Sequence, residues 1–256
     1  MLVKVTGFSK YICTTNLSSY IICLPLKDYL LFIDTEATGL PKKWNLPYTA
    51  PGNWPDAVQI SWLLYTKEGQ KIKEENHYIS NNDTVISPGA LTVHGLTKNF
   101  LQQNGMPRKQ VLAILSQDIQ YYQPMMVGHF TELDYHIIST GYFKERLDNP
   151  IEKLSSFCIM KATQHLQQNP NSKFLRLGQL YELLFKQPLL CQHNAMADAA
   201  ATADCFFELM KRNEIRSFAQ PPVTVQQQLK NTGYINWIIL FLLIIFSTFL
   251  IAFYYG

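Results

Sequence analysis

The sequence lacks the cysteine patterns that mark zinc sites and disulfide frameworks. Its five cysteines are scattered and odd in number, and no two of them form a Cys-x-x-Cys pair. Structural zinc sites and disulfide-rich secreted domains both use closely spaced, paired cysteines. The pattern therefore argues against both classes and favours a reducing compartment, in which the cysteines serve as small apolar core residues.

Charge is also scarce. Charged residues make up 16% of the chain and hydrophobic residues 47%, and the formal net charge is +3. This charge is too small to indicate a nucleic-acid-binding protein by itself, although it is compatible with one. Residues 1–27 contain no acidic side chain, and residues 231–256 contain no charged side chain at all.

The charge-free C-terminal segment predicts a transmembrane helix over residues 235–255. Its apolar run, from Trp237 to Phe253, is followed by Tyr254 and Tyr255, and about 20 apolar residues suffice to cross a bilayer as a helix. A buried C-terminal helix is the alternative, but such a helix normally keeps a polar stripe. Basic residues precede the segment and none follows it, so the positive-inside rule predicts a single-pass membrane anchor with the rest of the chain in the cytoplasm.

The rest of the chain divides into three parts. Residues 217–234 are rich in proline and glutamine and predict a linker. Residues 28–216 have the composition of a globular domain, and residues 1–27 form an N-terminal extension, with a processed presequence as the alternative. The sequence contains no internal repeat.

The globular part alternates strand and helix patterns. Two strands near 57–65 and 71–80 suggest a hairpin that follows a buried first strand at 28–34. Apolar periodicity then predicts further elements in the order helix, strand, helix, strand, helix, helix, at 111–121, 125–128, 133–143, 157–160, 174–185 and 195–211. An antiparallel opening followed by alternating elements predicts a three-layer α/β/α fold with a mixed central sheet.

Acidic residues interrupt the apolar segments at three places. Asp34 and Glu36 are two residues apart on the first strand, so both side chains leave the same face of the sheet. Two carboxylates this close repel each other, and a divalent cation relieves that repulsion while using both as oxygen ligands. Asp134 follows the strand at 125–128 and brings a third carboxylate to the start of a helix. Asp198, early in the last helix, adds a fourth.

His193 lies five residues before Asp198. On one helix the two side chains would point about 140° apart. They can converge only if His193 lies on the turn before the helix, with Asn194 as its N-cap. A histidine placed there is suited to general-base catalysis, because its ordinary pKa lies near neutrality.

Each signal has an ordinary explanation when it is taken alone. Asp-x-Glu often occurs on exposed edge strands, an isolated histidine is usually a surface or core residue, and Asp134 could simply start a helix. Together, in this order, the three segments resemble the motifs of the DnaQ-like (DEDDh) 3′–5′ exonucleases of the ribonuclease H-like superfamily. The match covers about residues 28–212, and its most specific part is His193-x-Ala195-x-x-Asp198.

The resemblance implies a ribonuclease H-like fold and a phosphodiester hydrolase that releases nucleoside monophosphates by a two-metal mechanism. Asp34, Glu36, Asp134 and Asp198 would bind two divalent ions, Mg²⁺ or Mn²⁺, and His193 would be the general base. Thr35, Thr38 and His94 would contact the substrate, with a satisfied loop histidine as the alternative for His94. The implied partner is the 3′ end of nucleic acid, with single-stranded DNA favoured and RNA possible.

Two features depart from the family pattern. Phe130 stands where the second motif usually has an asparagine. A long loop, Pro41 to Pro55, follows the first motif, and its Trp44, Tyr48 and Trp54 could either stack on bases or pack within the loop. Three other functions stay open: an exoribonuclease that acts on short RNA, a proofreading subunit with a polymerase partner, and an inactive membrane-tethered nucleic-acid-binding module.

Overall fold

A computed structural model describes residues 26–81 and 84–215. Its centre is a five-stranded mixed sheet in the order β3-β2-β1-β4-β5. The strands are β1 (Tyr29–Ala37), β2 (Ala57–Thr66), β3 (Lys71–Tyr78), β4 (Met125–Gly128) and β5 (Ser156–Cys158). β1 pairs antiparallel with β2 and parallel with β4, and β4 pairs parallel with β5. The C-terminal ends of β1, β4 and β5 therefore meet at one edge of the sheet.

The helices in the described part of the chain are α1 (Pro88–His94), α2 (Lys98–Asn104), α3 (Arg108–Tyr122), α4 (Thr131–Glu145), α5 (Ile159–Ala162), α6 (Leu177–Phe185) and α7 (Ala195–Lys211). Two 3-10 turns, Pro150–Lys153 and Gln164–Leu166, join the later elements.

Alternating side chains of β1 divide the core into two halves. Leu31 and Ile33 pack with α3 and α4 on one face of the sheet. Leu30 and Phe32 pack with α6 and α7 on the other face. Because successive strand residues point to opposite faces, the sheet is covered by helices on both sides. This arrangement is consistent with the predicted ribonuclease H-like α/β fold.

The membrane part of the fold prediction requires correction. Among residues 26–81 and 84–215, no helix is long and apolar enough to cross a membrane. The longest, α7, has 17 residues and carries Asp198, Asp204, Glu208 and Lys211, whereas a membrane helix needs about 20 mostly apolar residues. The predicted transmembrane helix, and the membrane localisation drawn from it, are therefore not part of the fold that the structure describes. Residues 235–255 lie outside the described residues.

The sequence-based element predictions differ from the structure at several places. The strand predicted at 157–160 ends at Cys158, and α5 begins at the next residue. The helix predicted from Phe174 begins at Leu177. α1 and α2 were not predicted, because α1 buries no residue and α2 buries only Leu101, so neither shows a long apolar periodicity. The predicted domain boundaries stay predictions, since residues 1–25 and 216–256 are not described.

Candidate active site

The C-terminal half of β1 supplies the first two carboxylates. Asp34 and Glu36 share the sheet face of Leu30 and Phe32, which is the face that α7 covers. Glu36 is buried, at 8% exposure, while Asp34 is partly buried. The β1–β2 register shifts between Glu36 and Ala37. Such a bulge increases the local twist of a strand and redirects its side chains, here at the point where the carboxylates leave the sheet.

The third carboxylate reaches the same edge from α4. β4 runs parallel to β1, so the first turn of the following helix lies beside the end of β1. Asp134, in that turn, is buried, and its Oδ1 accepts a hydrogen bond of 2.8 Å from Thr35 Oγ1. A Cβ atom on Gly128 would lie 3.0 Å from Thr131 Oγ1 and 3.4 Å from Asp134 Oδ2. Glycine at this strand end therefore lets the Asp134 carboxylate approach β4 closely.

α7 and the turn before it bring the last two residues. Asn194 is the N-cap of α7 and accepts hydrogen bonds from the backbone N–H groups of Met196 and Ala197, which confirms the predicted cap. His193 lies outside the helix in the left-handed region, with φ of 66°. Its backbone N–H donates a 2.9 Å hydrogen bond to Asp198 Oδ2. Potential metal-ligating atoms of Glu36, His193 and Asp198 all lie within 4.8 Å of one another.

The electrostatics of the cluster are those of crowded, buried acids. Burial raises the pKa of Glu36 to about 7, and the charges of Asp198 and Asp134 add to the effect. Burial likewise raises the pKa of Asp134 to about 7, although hydrogen bonds from Thr35 oppose the rise. The pKa of Asp34 is raised well above its ordinary value, first by burial and then by Asp134, Asp198 and Glu36. For Asp198, burial raises the pKa and the N–H of His193 partly offsets it.

This cluster fits a divalent cation. Within the described ranges, none of the four carboxylates forms a salt bridge with Lys or Arg. Buried carboxylates without a cationic partner are costly, and the mutual repulsion in the cluster adds to that cost. Carboxylate oxygens are the ligands that Mg²⁺ and Mn²⁺ prefer.

His94 approaches the cluster from α1. Its Nδ1 accepts a 3.0 Å hydrogen bond from the backbone N–H of Leu96, so Nε2 carries the proton of the neutral ring. The ring lies near the carbonyl of Ala37, and its pKa is lowered by burial and by the nearby His193. Nε2 is nevertheless buried without a partner of acceptable hydrogen-bond geometry among the described residues. The predicted contact of His94 with substrate stays a prediction, because the burial of Nε2 shows only where the ring lies within the chain.

The two predicted threonine contacts have structural partners. The Thr35 hydroxyl donates to Asp134 and orients that carboxylate. Thr38 is buried, and its Oγ1 accepts from the backbone N–H of Asp56. Their predicted contacts with substrate stay predictions, because these bonds show only what each hydroxyl does within the chain.

Sequence reasoning missed Gln59, which helps to position α7. This fully buried β2 residue accepts a 3.2 Å hydrogen bond from the N–H of Ala195, the first residue of α7, through its Oε1. Its Nε2 donates to Asn76 Oδ1 on β3, at 2.8 Å. A glutamine inside the apolar run of β2 was the available signal, since a buried amide needs hydrogen-bond partners.

Comparison with known proteins finds similarity in structure but not in sequence. No protein-family model matches the chain, and no curated protein matches it. E. coli exonuclease I in complex with a 5cy-dA13 oligonucleotide is similar, with a TM-score of 0.59 and 19% identity over 75% of this chain and 42% of that one. The zinc-bound form of the E. coli exonuclease I–ssDNA complex has a TM-score of 0.59 and 17% identity over 73% and 41%.

A third similar structure is a 3′-exonuclease that recognises the 3′ end of the histone mRNA stem-loop. Its TM-score is 0.58 and its identity 14%, over 75% of this chain and 85% of that one. The chain thus spans well under half of exonuclease I but most of the histone mRNA exonuclease. At these identities the likeness establishes the fold: this chain has the α/β fold of 3′-exonucleases.

Proposed function

We propose that the protein is a metal-dependent 3′–5′ exonuclease that hydrolyses phosphodiester bonds and releases nucleoside monophosphates. The observation that carries the proposal is the convergence of Asp34, Glu36, Asp134 and Asp198 at one sheet edge without a basic counter-ion. Three separated segments deliver these acids, and the raised pKa values of all four are the electrostatic signature of a site that binds positive charge. The likeness to 3′-exonuclease folds supports the same function.

The four carboxylates would hold two divalent ions, Mg²⁺ or Mn²⁺. When bound, such ions neutralise the acids and act as Lewis acids on phosphate oxygens. Thr35 holds the Asp134 carboxylate in place through its hydroxyl, and the N–H of His193 holds that of Asp198. Preorganised ligands of this kind reduce the cost of assembling the reactive geometry.

His193 is proposed as the general base. A ring nitrogen would take the proton of the water that attacks the phosphorus atom. The left-handed backbone at His193 places its exposed ring beside Glu36 and Asp198, within the 4.8 Å cluster. A histidine with solvent access can then pass the proton to bulk water, and general-base catalysis of this type contributes about 10²- to 10⁴-fold to the rate.

Single-stranded DNA is the favoured substrate. The exonuclease I structures with this fold are bound to DNA oligonucleotides. RNA is the second candidate, and one observation favours it. The similarity extends over 85% of the RNA-recognising exonuclease but over only 42% of exonuclease I.

Matched DNA and RNA oligonucleotides, incubated with the purified protein in Mg²⁺, Mn²⁺ or EDTA, test the proposal. Faster metal-dependent release of mononucleotides from DNA supports the favoured substrate, and faster release from RNA assigns the protein to the exoribonucleases. The variant Asp198→Ala should lose most of the metal-dependent rate, since it removes a metal ligand. Asp204→Ala is the matched control, because Asp204 lies on the same helix with an exposed side chain. Hydrolysis without metal, or full activity of Asp198→Ala, contradicts the proposal.

A further inference from the structure

The loop that follows β1 is folded and fixed beside the candidate active site. Its base is closed by two hydrogen bonds between Thr38 and Asp56, from Thr38 N to Asp56 O at 2.8 Å and from Asp56 N to Thr38 Oγ1 at 3.0 Å. Within the loop, the buried Asn53 side chain binds both backbone groups of Lys43: it accepts from the N–H at 3.0 Å and donates to the carbonyl at 2.9 Å. The backbone immediately before Trp44 is therefore held in one position.

Two of the three loop aromatics are used for internal packing. Trp54 is buried, donates from Nε1 to the carbonyl of Leu46, and stacks on His136 of α4 with ring centroids 4.7 Å apart. Burial lowers the pKa of His136 to about 4, so its ring is neutral at physiological pH. The Tyr48 hydroxyl and Nδ1 of that ring form a hydrogen bond of 2.7 Å. Tyr48 and Trp54 thus attach the loop to α4.

Trp44 differs from these two residues because 38% of it is exposed. It packs edge-to-face on Trp54, with centroids 6.1 Å apart, and lies at 40° to the ring of Phe130, with centroids 5.8 Å apart. Phe130 directly precedes α4, whose first turn carries Asp134. The aromatic row Trp54–Trp44–Phe130 therefore leads from the rigid loop to the carboxylate cluster, and the substitution of Phe130 for the family's asparagine supplies the connecting ring.

The charges around Trp44 suit a nucleic acid backbone. Lys42 and Lys43, the two residues before it, are exposed, and neither forms a salt bridge with a carboxylate in the part of the chain that the structure describes. Single-strand-binding surfaces combine positive charge, which follows the phosphates, with aromatic rings on which bases stack. An exposed tryptophan with fixed support and two adjacent lysines meets both requirements.

We propose that Trp44, supported by Trp54 and Phe130, is a stacking platform for a base upstream of the 3′-terminal nucleotide, with Lys42 and Lys43 near the adjoining phosphates. This inference rests on the proposed exonuclease function. The upstream position is part of this inference: Trp44 packs on Phe130, and Phe130 directly precedes the helix whose first turn carries Asp134. Stacking on one face of a ring does not read base identity, so the platform favours unpaired strands over particular sequences.

The test compares a substrate that reaches the platform with one that cannot. The p-nitrophenyl ester of thymidine 5′-monophosphate has one nucleotide, whereas a dT oligonucleotide extends upstream. For Trp44→Leu, which keeps an apolar side chain against Trp54 and Phe130, the ratio of kcat/KM on the oligonucleotide to kcat/KM on the ester should fall about tenfold. Trp44→Phe keeps an aromatic ring, so its ratio should be close to that of the unmodified protein. Tyr121→Leu is the control, because Tyr121 is 81% exposed and packs on Tyr122, which contacts Tyr29 at the opposite end of β1.

A scan of single abasic sites along the oligonucleotide locates the stacked base in the unmodified protein. One upstream abasic site should raise KM about tenfold, and the same site should have no further effect in Trp44→Leu. The platform is overturned if Trp44→Leu leaves the ratio of the two kcat/KM values unchanged, or if both proteins are equally sensitive to the abasic site. Metal-dependent hydrolysis of the ester would still support the exonuclease in either case. If the ester is not hydrolysed with metal, the exonuclease proposal fails instead. In that case the fluorescence anisotropy of a labelled dT oligonucleotide in Ca²⁺ tests the platform by binding alone. Trp44→Leu should bind the oligonucleotide about tenfold more weakly than the unmodified protein, and equal binding would overturn the platform.

Discussion

Replacing Glu36 by glutamine should stabilise the metal-free protein at alkaline pH. The pKa of this carboxyl is raised from 4.5 to about 7 by burial and by the neighbouring acids. In the unfolded chain it ionises near 4.5, so the folded protein holds the proton more tightly between these values. Stability is therefore lost as the pH rises from 4.5 through 7, and the loss is complete above pH 7.

The size of the effect follows from the pKa. Each pKa unit corresponds to about 1.4 kcal/mol, so ionising Glu36 costs the fold about 3 kcal/mol above pH 7. A domain of this size shifts its Tm by about 2–4 °C per kcal/mol. Glu36→Gln, with no charge to bury, should then melt about 6–12 °C higher than the unmodified protein at pH 8 in EDTA, and the difference should vanish near pH 4.5.

The difference in Tm can be measured by thermal unfolding, followed by circular dichroism, at several pH values with EDTA or Mn²⁺. Glu68→Gln is the control, since Glu68 is exposed in the β2–β3 turn and its replacement should change the Tm little. Mn²⁺ should raise the Tm of the unmodified protein at pH 8 more than that of Glu36→Gln, which lacks one ligand. The electrostatic reasoning is refuted if Glu36→Gln melts no higher than the unmodified protein at pH 8 in EDTA. It is also refuted if Glu36→Gln melts higher by the same margin at pH 8 and at pH 4.5.

Two further substitutions separate roles within the site and the fold. His193→Gln should lower kcat by about 10²- to 10⁴-fold with little change in the Mn²⁺ midpoint; a tenfold weaker Mn²⁺ midpoint would make His193 a ligand instead of a base. Gly105→Ala should destabilise the fold by about 1–3 kcal/mol in urea denaturation, because the added Cβ would lie 2.5 Å from the carbonyl of Leu101 and 2.7 Å from the N–H of Ser80. Gly89→Ala is its control, because no atom lies within 4 Å of that Cβ position, and equal stability of the two variants would show that the backbone moves to accommodate Gly105→Ala.

Local patterns predict much of this fold. The β2–β3 hairpin and α7 appear close to where the strand composition and the helical pattern of the sequence place them. α1 escapes this method, since it is specified by its ends: Ser87 caps it, proline begins it and Gly95 ends it in the left-handed region. The short run Phe157–Met160 is divided between β5 and α5, because a few apolar residues suit a buried strand and a helix equally.

The candidate site shows the same division between local and tertiary information. The two-residue spacing of Asp34 and Glu36 fixes their common face, and helix geometry places His193 on the turn before α7. The hydrogen bonds that hold the site, from Thr35 to Asp134 and from Ala195 to Gln59, join residues distant in sequence. No local pattern specifies them, because they depend on how β1, β2, α4 and α7 pack together.

A time course with a 5′-labelled single-stranded DNA oligonucleotide tests the central claim most directly. With Mg²⁺ or Mn²⁺, the unmodified protein should shorten the labelled strand stepwise from its 3′ end and release nucleoside monophosphates, and EDTA should stop the reaction. A strand blocked by a 3′-terminal phosphorothioate should be degraded more slowly. Loss of label from the 5′ end, internal cleavage as the first event, or equal rates in Mg²⁺ and EDTA would contradict a metal-dependent 3′–5′ exonuclease.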